Sequence, residues 1–240
     1  MIAKRPIAFS LFCALFLSAC ATHVGSDGKR ETRFDVRYFA KTEIDRVVDT
    51  NRLEVVAGLR RIAEKLYKRN PREWKKSGQA DLNAALDRLF AGPLNFPELE
   101  GRHEGAAALL ALDPKYQGDR VLGVMAGLLG MVNAAFENKT DFYVLDNLNE
   151  QKLYNCARNI EIAIWKMSST KIPNGEPLLI SNELDPSHPN LSFEREFGRV
   201  IGLLDLLSKI IADKQGRSIT RLSQSIATAV FLPVSALGLH

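Results

Sequence analysis

Of the four histidines, His23, His103, His188 and His240, one sits in a chemical motif. Glu100-Gly101-Arg102-His103 matches Glu-x-x-His, the spacing that puts a carboxylate and an imidazole on one helix face in di-iron bundles. Such a centre needs two of these motifs and two further carboxylates; the chain has one motif, and Pro97 and Gly101 disfavour a helix around it. His103-Glu104 also opens the zincin pattern, but Ala107 stands where the second histidine is required. A solvated charged loop is therefore expected here, with no metal and no cofactor. Nucleophile and phosphate signatures are equally scarce: there is no G-x-S-x-G, no Walker loop and no G-x-G-x-x-G. Cys156 lies on an apolar helical stripe beside Ala157 and Ile160, as a buried inert thiol does. The carboxylate pairs Asp141/Asp146 and Glu194/Glu196 read as helix caps or first-turn charges, so no catalytic residue is assigned.

The most unusual spacing is that of three glycines. Gly123, Gly127 and Gly130 fall at i, i+4 and i+7 within VLGVMAGLLGMVNAAF. Glycine in a helix interior costs about 1 kcal/mol relative to alanine, so a shared glycine face points to another backbone approaching closely. Small residues at this spacing also mediate transmembrane dimers, but sixteen residues make only about 24 Å of helix, short of a hydrocarbon core of ~30 Å. A central buried helix is expected; a membrane or lipid contact is the second reading and a ligand cleft along the glycine face the third. The apolar stretch Ile226–Leu239, interrupted by Pro233, either packs on the bundle or docks on a partner or the membrane.

The elements that would position these residues are helical. Ile44, Val48, Val55, Leu59, Ile62 and Leu66 recur at three-, four- and seven-residue steps; Thr42 with Asp45 makes a capping box, and Pro71 ends the segment. Further helices are predicted over 81–91 with Asp81 as cap, over 104–112, and over 121–136. A fifth is predicted over 148–168, with Asn147 and Glu150 as a capping box. Two more are expected over 192–214 and from Ser218 to about Phe231. Strand signals are poor: Thr140–Leu145 has β-type composition, and Pro173-Asn174-Gly175 suits a small hairpin onto Leu178–Ile180 within a long loop over 173–190. The fold class expected is all-α, one bundle of six or seven helices over residues 34–240.

The N-terminus carries a different signal. Lys4 and Arg5 precede a stretch from Ile7 to Ala19 with no charge, 13 residues long. That length suits the apolar region of a signal peptide and is too short to span a bilayer. It ends in Leu17-Ser18-Ala19-Cys20, which resembles the lipobox of bacterial lipoproteins. The resemblance covers residues 1–20 and implies cleavage after Ala19. It further implies lipidation of Cys20 with a diacylglycerol and a third acyl chain of the palmitate type. Ala21 in place of aspartate after the cysteine implies transfer to the outer membrane, facing the periplasm. Acyl chains contribute about 0.8 kcal/mol per buried methylene, so a triacylated terminus anchors durably. Removing residues 1–19 from 240 leaves 221, and losing Lys4 and Arg5 lowers the formal charge from +4 to +2. With Cys13 removed and Cys20 acylated, Cys156 has no thiol to pair with. Residues 21–33 read as a flexible tether reaching roughly 45 Å at most.

Composition bounds the function. Hydrophobic residues make up 46% of the chain and charged residues 25%, enough apolar material for a core. A net charge of +4 without a Lys/Arg block argues against nucleic acid as a partner. The leading expectation is a lipid-anchored lipoprotein whose helical domain is a non-enzymatic structural or interaction module for an envelope protein. A carrier or sensor of a lipid or other apolar ligand is the alternative, and a cell-envelope hydrolase the third reading.

Overall fold

The computed structural model describes residues 21–24, 30–33, 41–143, 146–182, 191–221 and 229–235. Cys20 therefore lies outside the described residues. The fold is all-α: among the described residues there are seven α-helices and one short ribbon of two strands. Two compact units are distinguished, a small one made of residues up to Val47 with Asp141–Asp146, and a large one made of the rest.

In the small unit, β1 (Ala21–Val24) pairs antiparallel with β2 (Arg30–Arg33), Ala21 opposite Arg33 and Val24 opposite Arg30. The β-branched residues Thr22, Val24 and Thr32 supply strand propensity. The start of α1 (Glu43–Arg69) carries a reciprocal capping box. The Thr42 amide donates to Asp45 Oδ2 at 2.7 Å and the Asp45 amide donates to Thr42 Oγ1 at 3.3 Å. Lys41 pairs with Asp141 at 3.2 Å and sits 5.0 Å from the centre of the Tyr143 ring.

The large unit is organised around α5 (Arg120–Ala135), which buries fourteen of its sixteen residues. A helix apolar on every side needs neighbours on every side. These include α4 (Glu104–Ala111) and α6 (Glu150–Ser169), with α2 (Pro71–Lys76) and α3 (Leu82–Phe90) alongside. Helix α7 (Ser192–Gln215) runs antiparallel to α6, with Arg158 donating to Asp205 at 2.6 Å and Gln215 to the Leu148 carbonyl at 2.9 Å. It also runs antiparallel to α1. Asn51 donates to the Leu203 carbonyl, Arg61 to Glu196 at 3.0 Å, and Lys65 to the Ser192 carbonyl. Helix α7 stops at Gly216, whose φ of +62° lets the chain turn left-handed and return the Arg217 amide to the Ala212 carbonyl.

Three boundaries differ from the sequence expectation. Pro71 does not simply end α1; it occupies the first turn of α2, where a missing N–H costs nothing. The cap of α6 is Asn149 rather than Asn147, because its side chain reaches the amides of Gln151 and Lys152 at 2.9 and 3.1 Å. The helix expected from Ser218 to Phe231 is not seen in the described parts of that range, 218–221 and 229–231; residues 222–228 lie outside them. Residues 140–143 are not strand, and residues 144 and 145 lie outside the described set.

The described tail, residues 229–235, packs on the bundle instead. Asn159, fully buried on α6, treats Leu232 as a strand neighbour would. The Leu232 amide donates to Asn159 Oδ1 at 2.6 Å, and Asn159 Nδ2 donates to the Leu232 carbonyl at 2.8 Å. Asn155 Nδ2 donates to the Pro233 carbonyl at 2.8 Å, and Phe231 lies over Gly105. Each net hydrogen bond contributes about 1 kcal/mol. Asn159→Ala should therefore lower unfolding free energy by about 2 kcal/mol in urea. A midpoint equal to wild type would show that the amide does not hold the tail.

Candidate functional site

The glycine face of α5 meets α4. A Cβ on Gly123 would stand 2.5 Å from Ala111 Cβ, and one on Gly127 would stand 2.6 Å from the Glu104 carbonyl oxygen and 2.7 Å from the Ala108 amide nitrogen. Backbone thus crosses backbone at Gly127. At Gly130 the gap widens, with Glu104 atoms at 3.4 Å, and a small cleft of about 290 Å³ opens beside it. Arg102, His103, Glu104, Asn133 and Asn138 line that cleft. Glu104 and Asn138 both hold positive φ, +48° and +56°, a conformation non-glycine residues adopt in only a few per cent of cases.

Most of the other residues singled out by the sequence have structural partners. Exposed His103 is the N-cap position of α4 without a side-chain cap bond, and Glu100, at φ +54°, pairs with Arg102 at 3.5 Å. Among the described residues no three His, Cys, Asp or Glu side chains cluster as metal ligands would. Burial pushes the Cys156 thiol well above its ordinary pKa, which removes the reactive thiolate. Asp146 accepts from the Tyr143 amide, Glu194 from Asn182 and Glu196 from Arg61.

A larger feature, not expected from the sequence, is a groove of about 830 Å³. Three separate segments form it. The first is the junction of α1 and α2, where the Asn70 side chain clips the chain at Ile180: Asn70 Nδ2 donates to the Ile180 carbonyl and the Ile180 amide to Asn70 Oδ1, both at 2.9 Å. The second is the turn over 170–178, closed by the Ile172 amide on the Glu176 carbonyl at 2.9 Å and by Gly175 at φ +87°. Lys171 and Pro177 form a single antiparallel bridge there, the remnant of the expected hairpin.

The third is the loop 113–119, which Arg120 holds from inside. Its guanidinium donates to the carbonyls of Ala111, Asp113, Pro114 and Tyr116 at 2.6–3.0 Å, and it is only 5% exposed. The Arg120 amide donates to Glu73 Oε2 at 2.8 Å, and Lys76 donates to Glu73 Oε1 at 2.6 Å. Beneath this lies Asp119, with no exposed surface, accepting from Tyr67 Oη at 3.0 Å, Ser77 Oγ at 3.1 Å and the Leu122 amide at 2.9 Å. Burial raises the Asp119 pKa, and the three donors oppose the rise. Burial, then the charges of Asp119 and Glu98, push the Tyr116 hydroxyl up to about 12.

Charge around the groove divides into spent and unspent groups. Arg120, Glu73 and Lys76 are committed to one another or to backbone. Exposed Arg72 has no ion pair or hydrogen bond among the described residues; Arg69 lines the same wall and is itself engaged. Opposite stand Ile172, Pro173, Pro177, Leu178 and Ile180, with Glu176. The groove thus has basic residues along one edge and, opposite, an apolar wall that carries Glu176. No family model, curated protein or solved structure matches the chain.

Proposed function

We propose that the protein is a lipid-anchored outer-membrane lipoprotein whose helical domain is a non-enzymatic interaction module, holding an envelope protein in the groove between α2, the 113–119 loop and the 170–180 turn. The observation that carries this reading is the prebuilt groove: about 830 Å³ of space over a floor fixed by Arg120, Glu73 and Asp119. That volume falls within the range of ligand sites, roughly 300–1,000 Å³. The mixed lining favours a protein surface over a lipid or other apolar ligand, because an apolar cargo gains nothing from Arg69, Arg72, Lys76, Glu73 and Glu176. The anchor rests on Leu17-Ser18-Ala19-Cys20 and its flanks, and lipid at Cys20 would keep the domain beside the periplasmic face of the membrane.

One experiment addresses anchor and groove together. A photo-crosslinking residue replaces exposed Pro173 on the groove's apolar wall in cells fed an alkyne fatty acid, in wild-type and Cys20→Ser backgrounds. The expected result is acylated protein and one discrete adduct in the first background, and unprocessed, unlabelled precursor in the second. Absence of label on wild-type Cys20 sinks the anchor. An adduct pattern no different from that of a crosslinker at exposed Leu53 on α1 sinks the groove.

A further inference from the structure

We infer that the cleft at Gly130, which shares no lining residue with the groove, is a second binding site and takes a sugar ring by its adjacent hydroxyls. Its volume of about 290 Å³ stands at the lower end of ligand sites, roughly 300 Å³. Backbone strain marks the place. Among the described residues four non-glycines hold positive φ, Glu100, Glu104, Glu137 and Asn138, and all four lie in the two segments that bound the cleft, 100–104 and 137–138. Such strain persists only where the surrounding structure imposes it, and it gathers at ligand clamps. Here it seats the Glu104 side chain against Gly130, with Glu104 Cγ 3.4 Å from where a Cβ would stand, and the bare glycine leaves the space beside it open.

The charges around the cleft are matched except for one. Arg102 pairs with Glu100 at 3.5 Å, Glu137 with Lys152 at 2.9 Å, and Arg52 donates to Asn133 Oδ1 at 3.4 Å. Half-buried Glu104 has no ion pair or hydrogen bond among the described residues, nor have the side chains of His103 and Asn138 or the Nδ2 of Asn133. The open groups are therefore of both kinds: carboxylate oxygens that accept, amide nitrogens that donate, and an imidazole that does one at each nitrogen. A cation only donates and would leave the amide donors unmatched; an anion only accepts and would meet Glu104. A hydroxyl does both at one atom. Adjacent hydroxyls present two protons side by side to one carboxylate and their oxygens to the amides. A trans peptide group holds its N–H and C=O on opposite edges, so it offers Glu104 no such pair. Leu94, Leu99, Ala107 and Ala126 supply apolar lining for the C–H face of the ring.

The test uses the full chain in a polyoxyethylene detergent, which has no sugar headgroup, and saturation-transfer NMR. The probes are glucose, galactose, mannose, ribose and N-acetylglucosamine, beside methylammonium and acetate. At least one sugar should bind, and neither small ion. Glu104→Gln keeps the shape, removes the charge and should weaken that sugar by at least about tenfold, the loss expected of a hydrogen bond to a charged group. Gly130→Ala should weaken it too, with a urea midpoint no lower than wild type, since its Cβ meets Glu104 atoms no closer than 3.4 Å. Binding of no sugar, or stronger binding of methylammonium, overturns the proposal. So does sugar binding that Glu104→Gln leaves unchanged; Gly130→Ala decides in its place if that variant does not fold. The methyl glycoside of the best sugar separates two sources: affinity retained marks a ring within a longer glycan, affinity lost a free sugar.

Discussion

Gly127→Leu should lower unfolding free energy by more than about 3 kcal/mol, beyond the usual range for an overpacked core site. The atoms its side chain would strike are the Glu104 carbonyl oxygen and the Ala108 amide nitrogen, both backbone, at 2.6 and 2.7 Å from the first added carbon alone. Backbone cannot rotate away as a side-chain tip can, so α4 and α5 must separate. For the same reason Gly127→Ala should destabilise even though alanine favours a helix by about 1 kcal/mol. The internal control is Gly202 in the interior of α7, where an added Cβ meets nothing within 4 Å. Gly202→Ala should raise stability by about 1 kcal/mol. Urea midpoints of the three variants decide the matter: if Gly127→Ala and Gly202→Ala shift in the same direction, the close crossing is wrong.

Asp119→Ala should cost about 3 kcal/mol, the loss of a helix cap (about 1) plus a buried Tyr67 hydroxyl without its acceptor (about 1–3). Asp119→Asn adds a test through pH. Because burial raises the folded-state pKa above the unfolded one, this group favours folding fully below the unfolded pKa and loses that contribution as pH rises through the folded value. The sign is opposite to that of an ion-paired aspartate. Wild-type stability relative to Asp119→Asn should therefore increase as pH falls from about 7 toward about 4. A difference that shrinks over that interval would mean that the carboxylate is stabilised, rather than penalised, in its charged form.

Much of the helical framework was legible in the residues. Thr42 and Asp45 cap α1 because a capping box is a local device, closed within three residues and independent of the rest of the chain. Asp81 caps α3 in the same way, its Oδ1 accepting the Ala84 amide at 2.8 Å. The apolar faces of α1, α6 and α7 show in the periodicity because each buries one stripe. The groove did not show, because Asn70 and Glu73 bring residues 69–76, 113–120 and 170–180 together across tens of residues, while Arg120 shapes the 113–119 loop beside it. None of those three side chains carries a sequence signal of its own. The described end of the chain was not legible for a related reason. At residues 229–231 the chain is not helical, and next to them Leu232 and Pro233 take their partners from Asn159 and Asn155, contacts that helical composition does not encode.

The clip at Asn159 reads backbone and not side chain, and that raises a question of alignment: what stops the tail from sliding along it? Pro233 does. In the observed setting Leu232 supplies both an N–H and a carbonyl to Asn159, whereas Pro233 is asked only for its carbonyl, by Asn155. A slip of one residue would bring the proline to Asn159, where it has no proton to give, and a buried amide oxygen would go unpaired at a cost of about 1–3 kcal/mol. The residue that interrupts the helical pattern of the tail thus also bars its registration from slipping in that direction.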